Sequence, residues 1–162
     1  MKKCTFEKGT PFYNAFNGYY QILRKYIGTD LLKADNLFDL VKNDFSFVTS
    51  ICPYDCSSYM NALQFALEAE ILRCRQCNIS PETIRKGCFY YELIADYIPI
   101  VKKYIDGDEK GIFPENDEFW EAVITEVDHF YANYKTTYAK DLALAFVNEL
   151  DRRYHSRICL CA

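Results

Sequence analysis

The chain has 162 residues, 50% hydrophobic and 26% charged, with only 6 glycines and 5 prolines. That length favours one domain, and that composition excludes a disordered tail or a collagen-like repeat. The net charge of −4 argues against a general nucleic-acid-binding protein, and no apolar run reaches the roughly 18 residues of a membrane-spanning helix.

Two lysines, Lys2 and Lys3, stand near the start of the sequence with no apolar stretch behind them, so this segment does not resemble a secretory signal. We therefore expect a cytoplasmic protein whose 8 cysteines are reduced thiols or metal ligands.

In chain order, the first predicted helix begins at Thr10-Pro11, a cap followed by a proline, and ends at Gly28. A shorter helix is expected over residues 30–41. The segment Phe45–Ile51 alternates weakly between apolar and polar residues, which predicts irregular structure or a short strand.

The second half also follows helical spacing. A long helix is predicted over residues 57–77 and a helix kinked at Pro99 over 81–105, starting from the cap signal Ser80-Pro81-Glu82. Two more helices are predicted over 117–134 and 137–154. The pattern predicts an all-α fold, a compact single-domain bundle of five to seven helices over residues 1–162, with 1–9 and 156–162 as candidate flexible tails.

The aromatic content of 17% is high and includes 14 tyrosines. Large rings most often build the core. Adjacent pairs such as Tyr19-Tyr20 and Tyr90-Tyr91 cannot both face one core, so one ring of each pair is expected at a seam or at the surface.

Negative charge is concentrated near the C-terminal third. Residues 1–105 carry 13 basic and 11 acidic groups, whereas residues 106–162 carry 6 and 12. A solvated loop with a well-capped helix is one explanation, and a docking surface for a basic partner is the other. The candidate partner-binding residues are Asp106, Asp108, Glu109, Phe113, Glu115, Asp117, Glu118 and Glu121.

The cysteines allow one zinc hypothesis. Cys74 and Cys77 have C-x2-C spacing, and His155 and Cys159 have H-x3-C spacing. Zinc favours four nitrogen or sulfur ligands. Because the two pairs are far apart in the chain, only tertiary folding could join them, so no cofactor is favoured and zinc remains an alternative.

Catalytic signals are weak. The chain has 2 histidines and no phosphate-binding or nucleophile motif. An enzyme on a helical scaffold would have to use Glu126, His129 or Cys56, and no spacing in the sequence places them together.

These observations predict a non-enzymatic protein-binding domain, in the form of an inhibitor, an antitoxin or immunity protein, or a phage or mobile-element anti-defence protein. It would dock an acidic, aromatic-bearing surface on a larger partner with a basic surface, such as a nuclease or another nucleic-acid enzyme. The alternative is a zinc-stabilised structural or regulatory domain. Neither nucleic acid nor membrane is expected as a direct partner, and a homo-oligomer is left open.

Overall fold

The computed structural model describes residues 6–52, 56–105 and 116–161, with side chains up to residue 155. These residues form six α-helices and one short 3₁₀ turn, which confirms the predicted all-α bundle. The elements are α1 (Pro11–Tyr26), the 3₁₀ turn (Asp30–Lys33), α2 (Leu37–Ile51), α3 (Ser57–Gln76), α4 (Phe89–Tyr104), α5 (Asp117–Tyr134) and α6 (Thr137–Cys161).

The predicted cap signal at Thr10-Pro11 locates the start of α1 correctly. The Thr10 side chain accepts a hydrogen bond from the Tyr13 backbone N–H, and Pro11 occupies the first turn of α1. Asn116 caps α5 in the same way by accepting from the backbone N–H of Glu118 at 2.8 Å. Such caps satisfy backbone donors that have no partner within the helix.

Helix α2 corrects the prediction for residues 45–51. The short helix predicted over residues 30–41 is instead a 3₁₀ turn followed by α2, which continues through Ile51. The buried side chains Leu37, Val41, Phe45 and Val48 recur every three or four residues. This helical stripe outweighs the weak alternation around Phe45.

The start of α4 also differs from the prediction, because residues 81–88 are not helical. This segment packs against the end of α1: the Thr83 hydroxyl donates to the Gly28 carbonyl at 3.0 Å. Gly28 has a φ of 76°, and a Cβ atom there would lie 2.3 Å from the Glu82 carbonyl oxygen. Gly87, with a φ of 90°, ends the segment just before α4.

Helix α4 buries one face in the core. Tyr91 and Ile98 lie half-buried at the edge of this face, and Ala95 is exposed. The buried side chains are Tyr90, Leu93, Ile94, Tyr97, Ile100, Val101 and Tyr104.

Helix α3 is central in the bundle, since it packs against α1, α2 and α6. Helices α3 and α6 run antiparallel: Arg73 near the end of α3 lies 3.6 Å from Asp141 near the start of α6. Helix α5 packs between α4 and α6. None of the helices in the described part of the chain is both long enough and apolar enough to cross a bilayer.

The tyrosine-rich composition is explained by the core. Six tyrosines are almost fully buried, and each of their hydroxyls has a hydrogen-bond partner. The hydroxyls of Tyr19 and Tyr138 bond to each other, as do those of Tyr59 and Tyr97. In both adjacent pairs the first ring is buried and the second, Tyr20 or Tyr91, is half-buried, which confirms the expected division.

Candidate protein-binding surface

The structure places the three described candidate residues on the first two turns of α5. Asp117 and Glu118 occupy the first turn, directly after the Asn116 cap, and Glu121 lies one turn further on. The unpaired N–H groups at a helix start carry partial positive charge, so acids are stabilised there. All three side chains are exposed.

These carboxylates have no ion pair with any described residue. The described salt bridges all use other acids, and Lys103, the basic residue that pairs with α5, is held by Glu126 at 2.5 Å. The start of α5 is therefore a surface of unneutralised negative charge within the described part of the chain.

Apolar groups lie beside this charge. Phe119 is 1% exposed and packs edge-on against Tyr104 with ring centroids 5.6 Å apart, which anchors α5 to α4. Trp120 packs edge-on against Phe119 and is only half-buried. Ile124 is 43% exposed. Together with Glu121 and Thr125, Trp120 and Ile124 line a shallow depression on the outer side of α5.

We define the α5 acidic surface as Asp117, Glu118, Trp120, Glu121 and Ile124. The other predicted partner-binding residues, which are Asp106, Asp108, Glu109, Phe113 and Glu115, lie outside the described residues.

Sequence reasoning missed the contribution of Ile124. It lies one turn after Glu121 and therefore shares its side of the helix. That spacing was readable in the sequence, but an apolar residue there is equally consistent with burial.

The proposed zinc ligands do not form one site. Cys74 adjoins Arg73, whose side chain contacts Asp141 at the start of α6. His155 lies fourteen residues beyond Asp141 on the same helix, which at the helical rise is about 20 Å away. Because α3 and α6 are antiparallel, Cys74 and Cys77 are at one end of this helix pair, and His155 and Cys159 are near the other. Among the residues with described side chains, no cluster of three His, Cys, Asp or Glu could hold a metal ion.

Two cysteines differ from the expectation of free thiols or metal ligands. Cys52 and Cys56 form a disulfide with their Cα atoms 6.3 Å apart, a separation that a disulfide readily spans. They lie directly after α2 and directly before α3, and these two helices pack against each other. Cys74, Cys77 and Cys88 are free thiols, buried, exposed and half-buried respectively.

The groups considered for catalysis are each bound to other groups or exposed. Cys56 is in the disulfide at the start of α3, and Glu126 on α5 accepts hydrogen bonds from Lys103 and from the Tyr104 hydroxyl. His129 points to solvent on α5. The structure therefore does not bring Cys56, Glu126 and His129 into one pocket.

Elsewhere, carboxylates are bound to tyrosine hydroxyls or to basic side chains. Glu70 accepts from Tyr90 at 2.5 Å and from Arg73 at 2.6 Å. Burial, together with the hydrogen bond to the Glu70 carboxylate, raises the pKa of Tyr90 well above its usual range. Burial and the Asp96 carboxylate similarly raise the pKa of Tyr134.

Glu149 is the one acid in the described part of the chain that is almost fully buried, at 3% exposed. Its carboxylate accepts from Arg152 at 2.7 and 2.9 Å and from Arg153 at 2.9 Å. The Arg153 guanidinium also lies over the Phe12 ring, 5.6 Å from its centroid. These contacts join the second half of α6 to α1 and have a structural role.

Comparisons of the chain with protein-family models, curated protein sequences and solved structures return no match.

Proposed function

We propose that this chain is a non-enzymatic protein-binding domain and that its α5 acidic surface binds a basic surface on another protein. The observation that carries the proposal is the group of three exposed carboxylates, Asp117, Glu118 and Glu121, with no ion pair to a described residue. The half-buried Trp120 and the exposed Ile124 lie directly beside them.

The charge would serve recognition, and the apolar groups would supply affinity. Complementary charge speeds the encounter of two proteins and excludes wrongly charged partners. A tryptophan surrounded by polar groups is a common energetic centre of an interface. Because Trp120 packs on the buried Phe119, its position is set before binding, which lowers the entropy cost of association.

The partner we favour is a protein that handles nucleic acid. Such proteins bind the phosphates of nucleic acid with lysine and arginine side chains. A row of carboxylates can bind the same basic side chains in place of the phosphates. The domain would then act as an inhibitor, an antitoxin or immunity protein, or an anti-defence protein of phage or mobile-element type.

The test is affinity capture with a charge-reversed variant. The Asp117→Lys, Glu118→Lys, Glu121→Lys triple variant should lose the partner that the wild-type chain captures from a native lysate and that mass spectrometry identifies. Opposing like charges cost several kcal/mol, so the affinity for the purified partner should fall by at least about a hundredfold. Capture by the wild-type chain should weaken as salt is raised.

A matched control is available on the 3₁₀ turn and α2, whereas α5 packs against α4 and α6. Asp30, Asp35 and Asp39 are also exposed, at or before the first turns of the 3₁₀ turn and of α2. Changing all three to lysine alters the net charge by the same amount. The proposal requires this control to capture the partner normally. Equal capture by both triple variants, or equal loss, would show that the α5 acidic surface does not select the partner.

A further inference from the structure

The disulfide between Cys52 and Cys56 joins the ends of two helices. Cys52 is the residue directly after α2, and Cys56 is the residue directly before α3. The two cysteines are four positions apart in the chain, and their Cα atoms lie 6.3 Å apart. Because α2 and α3 also pack against each other along their lengths, the two sulfur atoms should remain neighbours when the bond between them is open.

The bond should contribute less to the stability of the bundle than a long-range disulfide would. A disulfide stabilises a fold mainly by restricting the unfolded chain, and this effect decreases with the size of the loop that the bond closes. The loop between Cys52 and Cys56 is very short. The two helices are also held by buried side chains, among them Val48 on α2 and Met60 on α3. We therefore expect the same helical bundle with the disulfide formed and with it reduced.

The two cysteines differ in their access to solvent. Cys56 is 0% exposed, whereas Cys52 is half-buried and follows Ile51, which is 57% exposed. A thiol from solution breaks a disulfide by attacking one of its sulfur atoms, so the attacked sulfur has to be accessible. The attack is therefore directed to Cys52, and the sulfur of Cys56 is the leaving group.

We propose that Cys52 and Cys56 form a reversible thiol–disulfide exchange site for small thiols and disulfides of the glutathione class. Cys52 is the residue that exchanges with the small molecule, and Cys56 is the resolving thiol. This site is separate from the α5 acidic surface, since α5 packs against α4 and α6.

Reduction takes two steps. A glutathione thiolate attacks the Cys52 sulfur, a mixed disulfide forms, and the bond to Cys56 breaks with its electron pair leaving on the Cys56 sulfur, which takes up a proton. A second glutathione thiolate attacks the glutathione sulfur of the mixed disulfide and releases oxidised glutathione and the Cys52 thiol. The cysteine pair gains two electrons, and two glutathione molecules together lose two.

Oxidation is the reverse, with oxidised glutathione as the oxidant. The Cys52 thiolate attacks it, forms the mixed disulfide and releases one glutathione thiolate. The Cys56 thiolate then attacks the Cys52 sulfur, restores the internal disulfide and releases the second glutathione. This last step is fast because the packed helices hold Cys56 beside Cys52, and such an intramolecular reaction has a high effective concentration.

The first test uses the native full chain in mixtures of reduced and oxidised glutathione. Trypsin cleaves after Lys42 and Arg73, so a single peptide, residues 43–73, contains Cys52 and Cys56 and no other cysteine. After free thiols are blocked, the mass of this peptide should change from two blocked thiols to an internal disulfide as the proportion of oxidised glutathione rises. Reduced glutathione should reverse the change, and circular dichroism should show the same helix content in both forms.

The second test separates the roles of the two cysteines. Cys56→Ala removes the resolving thiol, so oxidised glutathione should accumulate as a mixed disulfide on the peptide of residues 43–73. In Cys52→Ala the remaining thiol is buried, and the mixed disulfide should form at least about tenfold more slowly. Circular dichroism checks that both variants are helical, and the glutathione series on the wild-type chain tests reversibility without any substitution.

The matched control is Cys77→Ala. Cys77 is an exposed free thiol at the end of α3, so it reacts with glutathione but should not act as the resolving thiol of Cys52. This variant should give the same disulfide transition in the peptide of residues 43–73 as the wild-type chain. A changed transition would contradict the assignment of Cys56 as the resolving thiol.

Four further results would overturn the proposal. They are an internal disulfide that persists in reduced glutathione, one that never forms in oxidised glutathione, loss of helix on reduction, and equal rates of mixed-disulfide formation in Cys56→Ala and Cys52→Ala. None of these results bears on the α5 acidic surface, whose test is capture of a basic partner.

Discussion

Acidic side chains in two regions of this protein have opposite surroundings. Inside the bundle, Glu149 is 3% exposed and is held by two arginines, and Glu70 is held by Arg73 and Tyr90. At the start of α5, Asp117 and Glu121 are exposed and have no ion pair with a described residue. The difference indicates that the first group stabilises the fold and that the second is available to a partner.

The hydroxyls of the buried tyrosines also have partners, of which Asp44 and Glu126 are 30% and 34% exposed. Tyr26, Tyr90 and Tyr104 donate to the carboxylates of Asp44, Glu70 and Glu126. The remaining buried hydroxyls bond to one another or to the backbone, as Tyr97 does to the Leu142 carbonyl at 3.0 Å. No buried side-chain nitrogen or oxygen in the described residues lacks a partner, so the inner polar groups form a fully satisfied network.

The largest expected effect is alkaline unfolding, which should act on the inner region alone. Burial raises the pKa of Tyr59, Tyr97 and Tyr138 well above the ordinary value of 10.0. A folded-state pKa above the unfolded one means that the native state retains protons that the unfolded state loses. The contribution of these tyrosines to stability is therefore fully present below about pH 10 and falls as the pH rises beyond it.

The measurement is urea unfolding at stepwise higher pH, with tyrosinate absorbance recorded on the same samples. The buried tyrosines should ionise together with the loss of helix. Ionisation of all tyrosines at about pH 10 with the helices intact would contradict the burial of these rings.

The second effect is the loss of the buried ion pair of α6. Glu149→Ala removes the carboxylate that Arg152 and Arg153 share. Because these two arginine side chains are themselves 32% and 15% exposed, they can be hydrated in the variant, so the expected loss is that of hydrogen bonds between charged groups, about 1.5–3 kcal/mol. Chemical denaturation of the variant measures this cost. A loss below about 1 kcal/mol would mean that Glu149 is effectively solvated and would remove the contrast with α5.

The smallest effect is expected on the acidic surface itself. Glu121→Gln changes an exposed side chain beyond the first turn of α5. The free energy of unfolding of this variant should therefore stay within about 0.5 kcal/mol of the wild-type value. The same denaturation experiment measures it. A larger loss would show that Glu121 supports the fold, which would weaken its assignment to partner binding.

Much of the helix arrangement was predictable from local signals. The boundaries of α5 match the predicted 117–134, and α3 differs from 57–77 by one residue at its end. These helices have apolar stripes at helical spacing, and α5 also has a capping residue. Both are local properties, so they can be recognised without knowing the neighbours of the helix.

The predictions that failed concerned segments whose structure depends on contacts with distant parts of the chain. The cap signal Ser80-Pro81-Glu82 did not start a helix, because residues 81–88 pack against the end of α1 at Gly28. Helix α6 continues to Cys161, past its predicted end at Tyr154. The zinc hypothesis failed because the antiparallel order of α3 and α6 separates its two ligand pairs.

The amino-acid sequence by itself determined that the chain is helical, where most of its helices lie and where its negative charge is concentrated, because periodicity, caps and charge are properties of short segments. The tertiary structure decided which acids are neutralised, which tyrosines are buried and which two cysteines are paired. These features depend on which helices become neighbours, and no local pattern contains that information.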